Sequence, residues 1–326
     1  MCDSEDIIAD ENNEAFRWAC HYGHTDVVRR LLVEDRVNPA NGNHDVIRWA
    51  CDKGHTDVVY LLLADGRVDP ADNDNEALRS ACKNGHTNVV RLLLADPRVD
   101  PTSNKNYAIR YACAYDHADV VDLLLADPRV NAGDNKNEAL RLACKYGYID
   151  VIRLLLADPR VDPADNGNAA LQLACMGGRV DVVRLLLVDP RVNPADDNNN
   201  AIRSACWYGH NDVVRLLLTD PRVNPADWNN YAVRWACEKG HTDVVRLLLA
   251  DSRVNPAAYN NEAIQWACSN GHFDVVRLLL ADSRVNPADR DNNAVRQARR
   301  NGHIDVVQLL LSDDRVKLTD KDTDAK

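Results

Sequence analysis

Residues 240–257 read GHTDVVRLLLADSRVNPA, and nearly the same words return from Gly23 (GHTDVVRRLLVEDRVNPA) to Gly302 (GHIDVVQLLLSDDRVKLT). Nine cysteines, at 20, 51, 82, 113, 144, 175, 206, 237 and 268, mark a period of 31 residues. Self-similarity of this length means stacked supersecondary units that bury their apolar sides against one another, not one globular core. Ten units account for residues 14–323, divided as 14–44, 45–75, 76–106, 107–137, 138–168, 169–199, 200–230, 231–261, 262–292 and 293–323. One elongated domain is expected between short tails at 1–13 and 324–326.

The unit from Glu76 to Asn106 reads EALRSACKNGHTNVVRLLLADPRVDPTSNKN. Asn75 is a good N-cap for a short first helix, on which Ala77, Leu78, Ala81 and Cys82 form one narrow apolar stripe of mostly small residues. Gly85 supplies the left-handed position that ends it, and Asp116 is the one departure from glycine in that slot. A second helix is expected from about Thr87 to Ala95. Val89, Val90, Leu92, Leu93 and Leu94 make it apolar on most of its circumference, so neighbouring units must cover it. Asp opens that helix in most units (Asp26, Asp57, Asp119, Asp243), where the dipole favours negative charge, and a proline follows its end at 97, 128, 159, 190 and 221. RVDPTSNKN is rich in turn formers and reads as an extended finger leading to the next N-cap.

A single unit buries too little to offset the entropy of ordering it, so stability comes from interfaces and the end units should be atypical. They are: Arg30 takes the slot of Leu61 and Leu92, Arg299 replaces the cysteine, and Gln297, Arg300 and Gln308 add polarity. These residues read as solubilising caps on a complete array.

The 326 residues carry 39 Lys plus Arg against 50 Asp plus Glu, a net charge of −11, so no cationic footprint for nucleic acid or anionic membrane is expected. The opening MCDSEDIIADENN has neither a basic nor an apolar region, and no apolar run is long enough to span a bilayer; neither a signal peptide nor a transmembrane segment is expected. Equivalent cysteines on side-by-side helices stand about 8–10 Å apart. Cα atoms more than about 7 Å apart cannot be bridged without moving the backbone. Free, packed thiols are therefore expected, and with them the cytoplasm or the nucleus.

Helix, Gly-His turn, second helix and finger together resemble the ankyrin repeat: ACxxGHxDVVRLLL follows the family's AAxxGHxxVVxLLL ten times in phase. The TPLH opening of the family is here EALR or a relative, and the two residues missing from the family's 33-residue period fall on either side of the finger Val (Val68, Val99, Val130). The resemblance implies an all-α solenoid of antiparallel helix pairs with short extended fingers, in which the family's tight β-hairpin is not expected. It also implies a non-catalytic scaffold or adaptor that binds a protein or peptide on a concave face lined by first helices and fingers.

Cys237 and His241, like their equivalents, stand four residues apart, but Gly240 parts them by a helix end and a metal needs three or four converging ligands. Tyr148 and Arg179 also replace the His without disturbing their units. No catalytic, metal or cofactor site is expected; the resemblance assigns the His a hydrogen bond in the turn. Two arginine ladders run the length of the chain. One comprises Arg17, Arg48, Arg79, Arg110 and Arg141 with gaps at Gln172 and Gln265; the other runs from Arg36 through Arg67, Arg98, Arg129 and Arg160 to Arg315. Bare cations one repeat apart would repel, so pairing with Asp65, Asp96, Asp127 and their neighbours as inter-repeat salt bridges, with bonds to finger carbonyls, is expected over phosphate binding.

The informative residues are those that do not repeat. The slot before Ala-Cys reads Trp18, Trp49, Ser80, Tyr111, Leu142, Leu173, Ser204, Trp235, Trp266 and Gln297. The positions after Cys add Tyr22, Tyr115, Tyr146, Trp207 and Tyr208, and the first-helix start adds Tyr107 and Tyr231. By the resemblance, matching positions line the concave face. Trp and Tyr dominate interface hot spots, and an exposed aromatic patch marks a partner site. Two concentrations are expected to bind: Trp207, Tyr208, Tyr231, Trp235 and Trp266, with Trp228 in the adjoining finger, and Trp18, Tyr22, Trp49, Tyr107, Tyr111 and Tyr115. The competing reading packs Trp235 and its equivalents into the stack, leaving a spacer or self-assembling array. A monomer binding a protein or peptide is preferred.

Overall fold

The computed structural model describes residues 4–40 and 45–317. Their contacts cluster into two compact units, residues 1–162 and 163–326. The first holds α1 (Ser4–Tyr22), α2 (Thr25–Leu32), α3 (Asp45–Lys53), α4 (Thr56–Asp65), α5 (Asp72–Lys83), α6 (Thr87–Ala95), α7 (Ser103–Ala114), α8 (Ala118–Leu125), α9 (Asp134–Tyr146) and α10 (Ile149–Ala157). The second holds α11 (Asp165–Met176), α12 (Val180–Val188), α13 (Asp196–Tyr208), α14 (Asn211–Leu218), α15 (Asp227–Lys239), α16 (Thr242–Ala250), α17 (Ala258–Ser269), α18 (Phe273–Leu280), α19 (Asp289–Arg300) and α20 (Ile304–Leu311). The fold is all-α, with no strand among the described residues. Within each unit the odd-numbered helices pack in one row and the even-numbered ones in a second, each helix against its equivalents in the flanking repeats. The expected tail at 324–326 lies outside the described residues, whereas residues 4–13 of the other tail form the start of α1.

The apolar stripe of the sequence is the core. Ala77, Leu78, Ala81 and Cys82 of α5 and Val89, Val90 and Leu93 of α6 are buried, and Val99 of the finger closes the layer. Leu92 and Leu94 are only half-buried, so the second helix is less enclosed than its composition implies. The nine repeating cysteines are free and buried. Burial pushes the Cys20 thiol up to about 12 and the other eight upward as well, which keeps them protonated and unreactive.

The join between repeats departs from the sequence reading. Asn75 does not sit as an N-cap in extended backbone; Asn73, Asp74 and Asn75 are all left-handed, at φ 51, 58 and 60. Three consecutive left-handed residues recur at 104–106, 135–137, 166–168, 197–199, 228–230, 259–261 and 290–292. The finger is therefore not an extended run into a cap: a reverse turn at Asp96–Val99, closed by the Val99 N–H on Asp96 O (3.1 Å), is followed by a left-handed turn into the helix. Such backbone costs an ordinary L-residue roughly 1–2 kcal/mol, and Asn or Asp less, which explains why these positions are mostly Asn and Asp.

Side chains hold this turn in place. Asn199, 3% exposed, accepts from the Asn224 N–H (2.7 Å) and donates to Asp227 Oδ2 (2.8 Å), both in the next repeat. Asn106 and Asn261 make the same pair of bonds, and Asn75 makes the equivalent pair with the Ser103 hydroxyl in place of the carboxylate. The first arginine ladder caps the turn's carbonyls from the helix that the turn opens: Arg79 Nη1 donates to Asn73 O (3.1 Å) and Asp74 O (2.6 Å), and Arg203 Nη2 to Asp197 O (2.8 Å). Gln172 and Gln265 are not gaps, since each donates to the corresponding carbonyl, Gly167 O and Asn260 O, at 2.6 Å.

The second ladder is also scaffold, but its ion pairs lie within each repeat and not between repeats. Arg98 forks onto Asp96 (2.9 and 2.6 Å) and reaches back to Val68 O (3.0 Å) and Leu63 O (3.4 Å), so the carbonyls make the inter-repeat link. The hydrogen bonds from Arg98 hold the Asp96 carboxyl below the usual carboxylate range. The histidine likewise bonds outside its own turn. His241 Nε2 lies 2.9 Å from Trp207 O at the end of the preceding first helix; a carbonyl only accepts, so Nε2 carries the proton. Its ring sits where a Cβ on Gly209 (φ 76) would lie, 2.5 Å from Nδ1. The slot that would face Asp116 in this way holds Tyr148 instead of His.

Candidate functional site

The odd-numbered helices also carry the residues that vary. A residue and its neighbour one period less one turn later (31 − 3 = 28) fall side by side on adjacent first helices, as Trp207 and Trp235 do. In the second unit this brings Trp207 of α13 edge-on to Trp235 of α15 at 4.7 Å between centroids. Trp235 lies 4.4 Å from Tyr231, which in turn meets Trp228 at 5.5 Å and Trp266 of α17 at 6.5 Å, both edge-on. The five residues form one continuous aromatic cluster. Trp207, Tyr231, Trp235 and Trp266 are half-buried, and Trp228 is 55% exposed. Tyr208 stands aside on the exposed surface, stacked on His210 at 6.3 Å.

Cations sit against these rings. Lys239 Nζ lies 3.7 Å from the Trp207 centroid and is paired with Glu238. Arg234 lies 4.8 Å from Tyr231, 4.7 Å from Tyr259 and 5.1 Å from Trp266, and forms an ion pair with Glu262. Arg203 lies 4.5 Å from Trp228 and 5.9 Å from Trp235, and burial lowers the affinity of its guanidinium for its proton.

In the first unit the second expected concentration divides in two. Trp18 stacks on Tyr22 at 5.2 Å, and Trp49 meets His21 edge-on at 5.8 Å with Arg17 5.2 Å from its ring. Further along, Tyr107, Tyr111 and Tyr115 form a ladder at 4.4 and 6.1 Å, with Arg110 4.5 Å from Tyr107. Tyr146 belongs to neither, stacking on Tyr148 at 5.7 Å.

Two members of the second-unit cluster escaped the sequence reading. Tyr259 is 57% exposed and follows Trp228 by one period (259 − 228 = 31), a relation visible in the sequence. Trp228 (φ 53) and Tyr259 (φ 57) occupy the first left-handed position of their turns, where other repeats place Asn73, Asn104, Asn135, Asn166 and Asp197, and the last such turn places Arg290. Bulky aromatics are poorly suited to that backbone, and such outliers concentrate at functional sites. The second member is Arg203, hidden in a ladder that otherwise reads as scaffold.

Paired helices stacked in register place the chain in the class of all-α tandem-repeat proteins. Within that class, a family model for ankyrin repeats, in blocks of three copies, matches residues 2–74, 49–134, 78–165, 140–230, 205–291 and 233–322, and the chain belongs to that family. Ankyrin repeats are generally protein–protein interaction modules and typically non-catalytic. Comparison of the sequence with curated proteins returns no match. Among the described residues, no helix is long and apolar enough to cross a membrane, and no group of three His, Cys, Asp or Glu residues is placed to hold a metal ion.

Proposed function

We propose that the chain binds a segment of a partner protein on the aromatic face spanning Trp207 to Trp266, and performs no chemistry of its own. The observation that carries this reading is Trp228 with Tyr259: two exposed aromatics held in a backbone conformation that Asn or Asp would adopt at lower cost. Stability does not select them; contact with a partner would. The free thiols favour action in the cytoplasm or nucleus as a monomeric adaptor or scaffold. The test replaces Trp235 and Trp266 with leucine, which that slot already holds at Leu142 and Leu173. The Trp235→Leu, Trp266→Leu protein should keep its helical circular dichroism and bind its captured partner at least about tenfold more weakly. Unchanged binding with a lowered melting temperature would instead place these rings in the scaffold.

A further inference from the structure

Arg203 and Arg234 are the two buried arginines among the described residues, 5% and 6% exposed. Their surroundings differ in one respect. In this ladder Arg48, Arg110 and Arg234 each meet a carboxylate 28 residues on, at Glu76, Glu138 and Glu262. The residue 28 beyond Arg203 is Tyr231. Asp197 and Asp227 exert a favourable field on Arg203, yet neither forms an ion pair with it; its Nε has no hydrogen-bond partner, as is also true of Arg110, Arg141 and Arg234. A buried cation without a counter-ion is costly, and ring faces recover only part of that cost.

Arg203 is therefore the cation of this face that has no carboxylate in direct contact, its charge being met only at longer range by Asp197 and Asp227. Of its three cations, Arg234 is matched by Glu262 and Lys239 by Glu238. Arg203 alone is not. The neighbouring rings already hold cations against them, so an ammonium group on a ligand would meet like charge there. A carboxylate would supply what the site lacks. Resting on the partner-binding reading above, we propose that the bound segment is an extended acidic peptide whose Asp or Glu carboxylate pairs with Arg203 beside Trp228 and Trp235, flanked by apolar side chains on the rings.

The test is selection of random linear peptides displayed on phage against the full chain and against Arg203→Gln. Glutamine already fills this slot at Gln172 and Gln265 and bonds a carbonyl of the same turn, one residue on from the carbonyl that Arg203 uses, so the variant keeps the local scaffold. Peptides selected on the wild type should share an acidic residue next to an aromatic or aliphatic one. A synthetic copy should lose about tenfold in affinity when its acid becomes the amide, and Arg203→Gln should lose a similar factor while becoming indifferent to that change. Peptides that need Trp235 and Trp266 but show no acidic preference would overturn the carboxylate and leave the aromatic face standing. Peptides indifferent to Trp235→Leu with Trp266→Leu, or no enriched peptide at all, would overturn both.

Discussion

Gly209→Ala should destabilise the chain by roughly 2 to 5 kcal/mol, although it adds one methyl group at a helix end. Two costs combine. At φ 76 a side chain is strained, at about 1–2 kcal/mol. The new Cβ would also stand 2.5 Å from His241 Nδ1, and the ring cannot retreat without lengthening its 2.9 Å bond to Trp207 O. Leaving that carbonyl unpaired costs about another 1–3 kcal/mol. A urea melt measures the sum, and repeating it in a His241→Ala background separates the parts, because there the glycine substitution should cost only its backbone strain. Equal costs in both backgrounds would show that the histidine ring exerts no constraint on the glycine.

Asn199→Ala should be comparably severe, at roughly 2 to 4 kcal/mol. Asn199 is 3% exposed and makes two bonds into the next repeat, one accepted from a main-chain N–H and one donated to Asp227. Alanine removes both, leaves the Asn224 N–H without its partner, and tolerates φ 58 less well than Asn. Asn199→Asp provides the contrast: it can still accept from Asn224 N–H but faces the Asp227 carboxylate, so its loss should shrink as pH falls and one of the acids protonates. A thermal melt of the three proteins at two pH values checks both statements, and an alanine variant as stable as wild type would remove the Asn ladder from the account.

Much of this was legible because the repeat multiplies weak signals. The interval of 31 residues set the helix pairs, and the second helix of the third repeat falls at Thr87–Ala95, where its Val and Leu spacing puts it. What could not be read were choices between two physically reasonable partners. Asn75 suits an N-cap and a left-handed turn equally, and nothing local announces three left-handed residues in a row. Arg98 could have paired with an acid in its own repeat or the next; only the fold shows that its fork closes on Asp96 while the freed donor reaches Val68 O. Arg203 was readable in principle, since the slot 28 residues on is Glu at Glu76, Glu138 and Glu262 but aromatic at Tyr231, as at Tyr107 opposite Arg79; only the fold shows that Arg203 is buried as well.

The division between repeated scaffold and non-repeating binding residues is tested most directly by Trp228→Asn with Tyr259→Asn. Asparagine restores what other repeats use at this left-handed position, a gain of up to about 1–2 kcal/mol per site. Against it stands the loss of Arg203 on Trp228 and Arg234 on Tyr259, contacts worth from about 0.5 kcal/mol each for rings as exposed as these to about 2 kcal/mol for cations as buried as these. Melting temperature and partner affinity, measured on the same preparation, should move in opposite senses: stability held or raised, binding weakened. A variant that melts lower and binds as tightly as wild type would contradict the account.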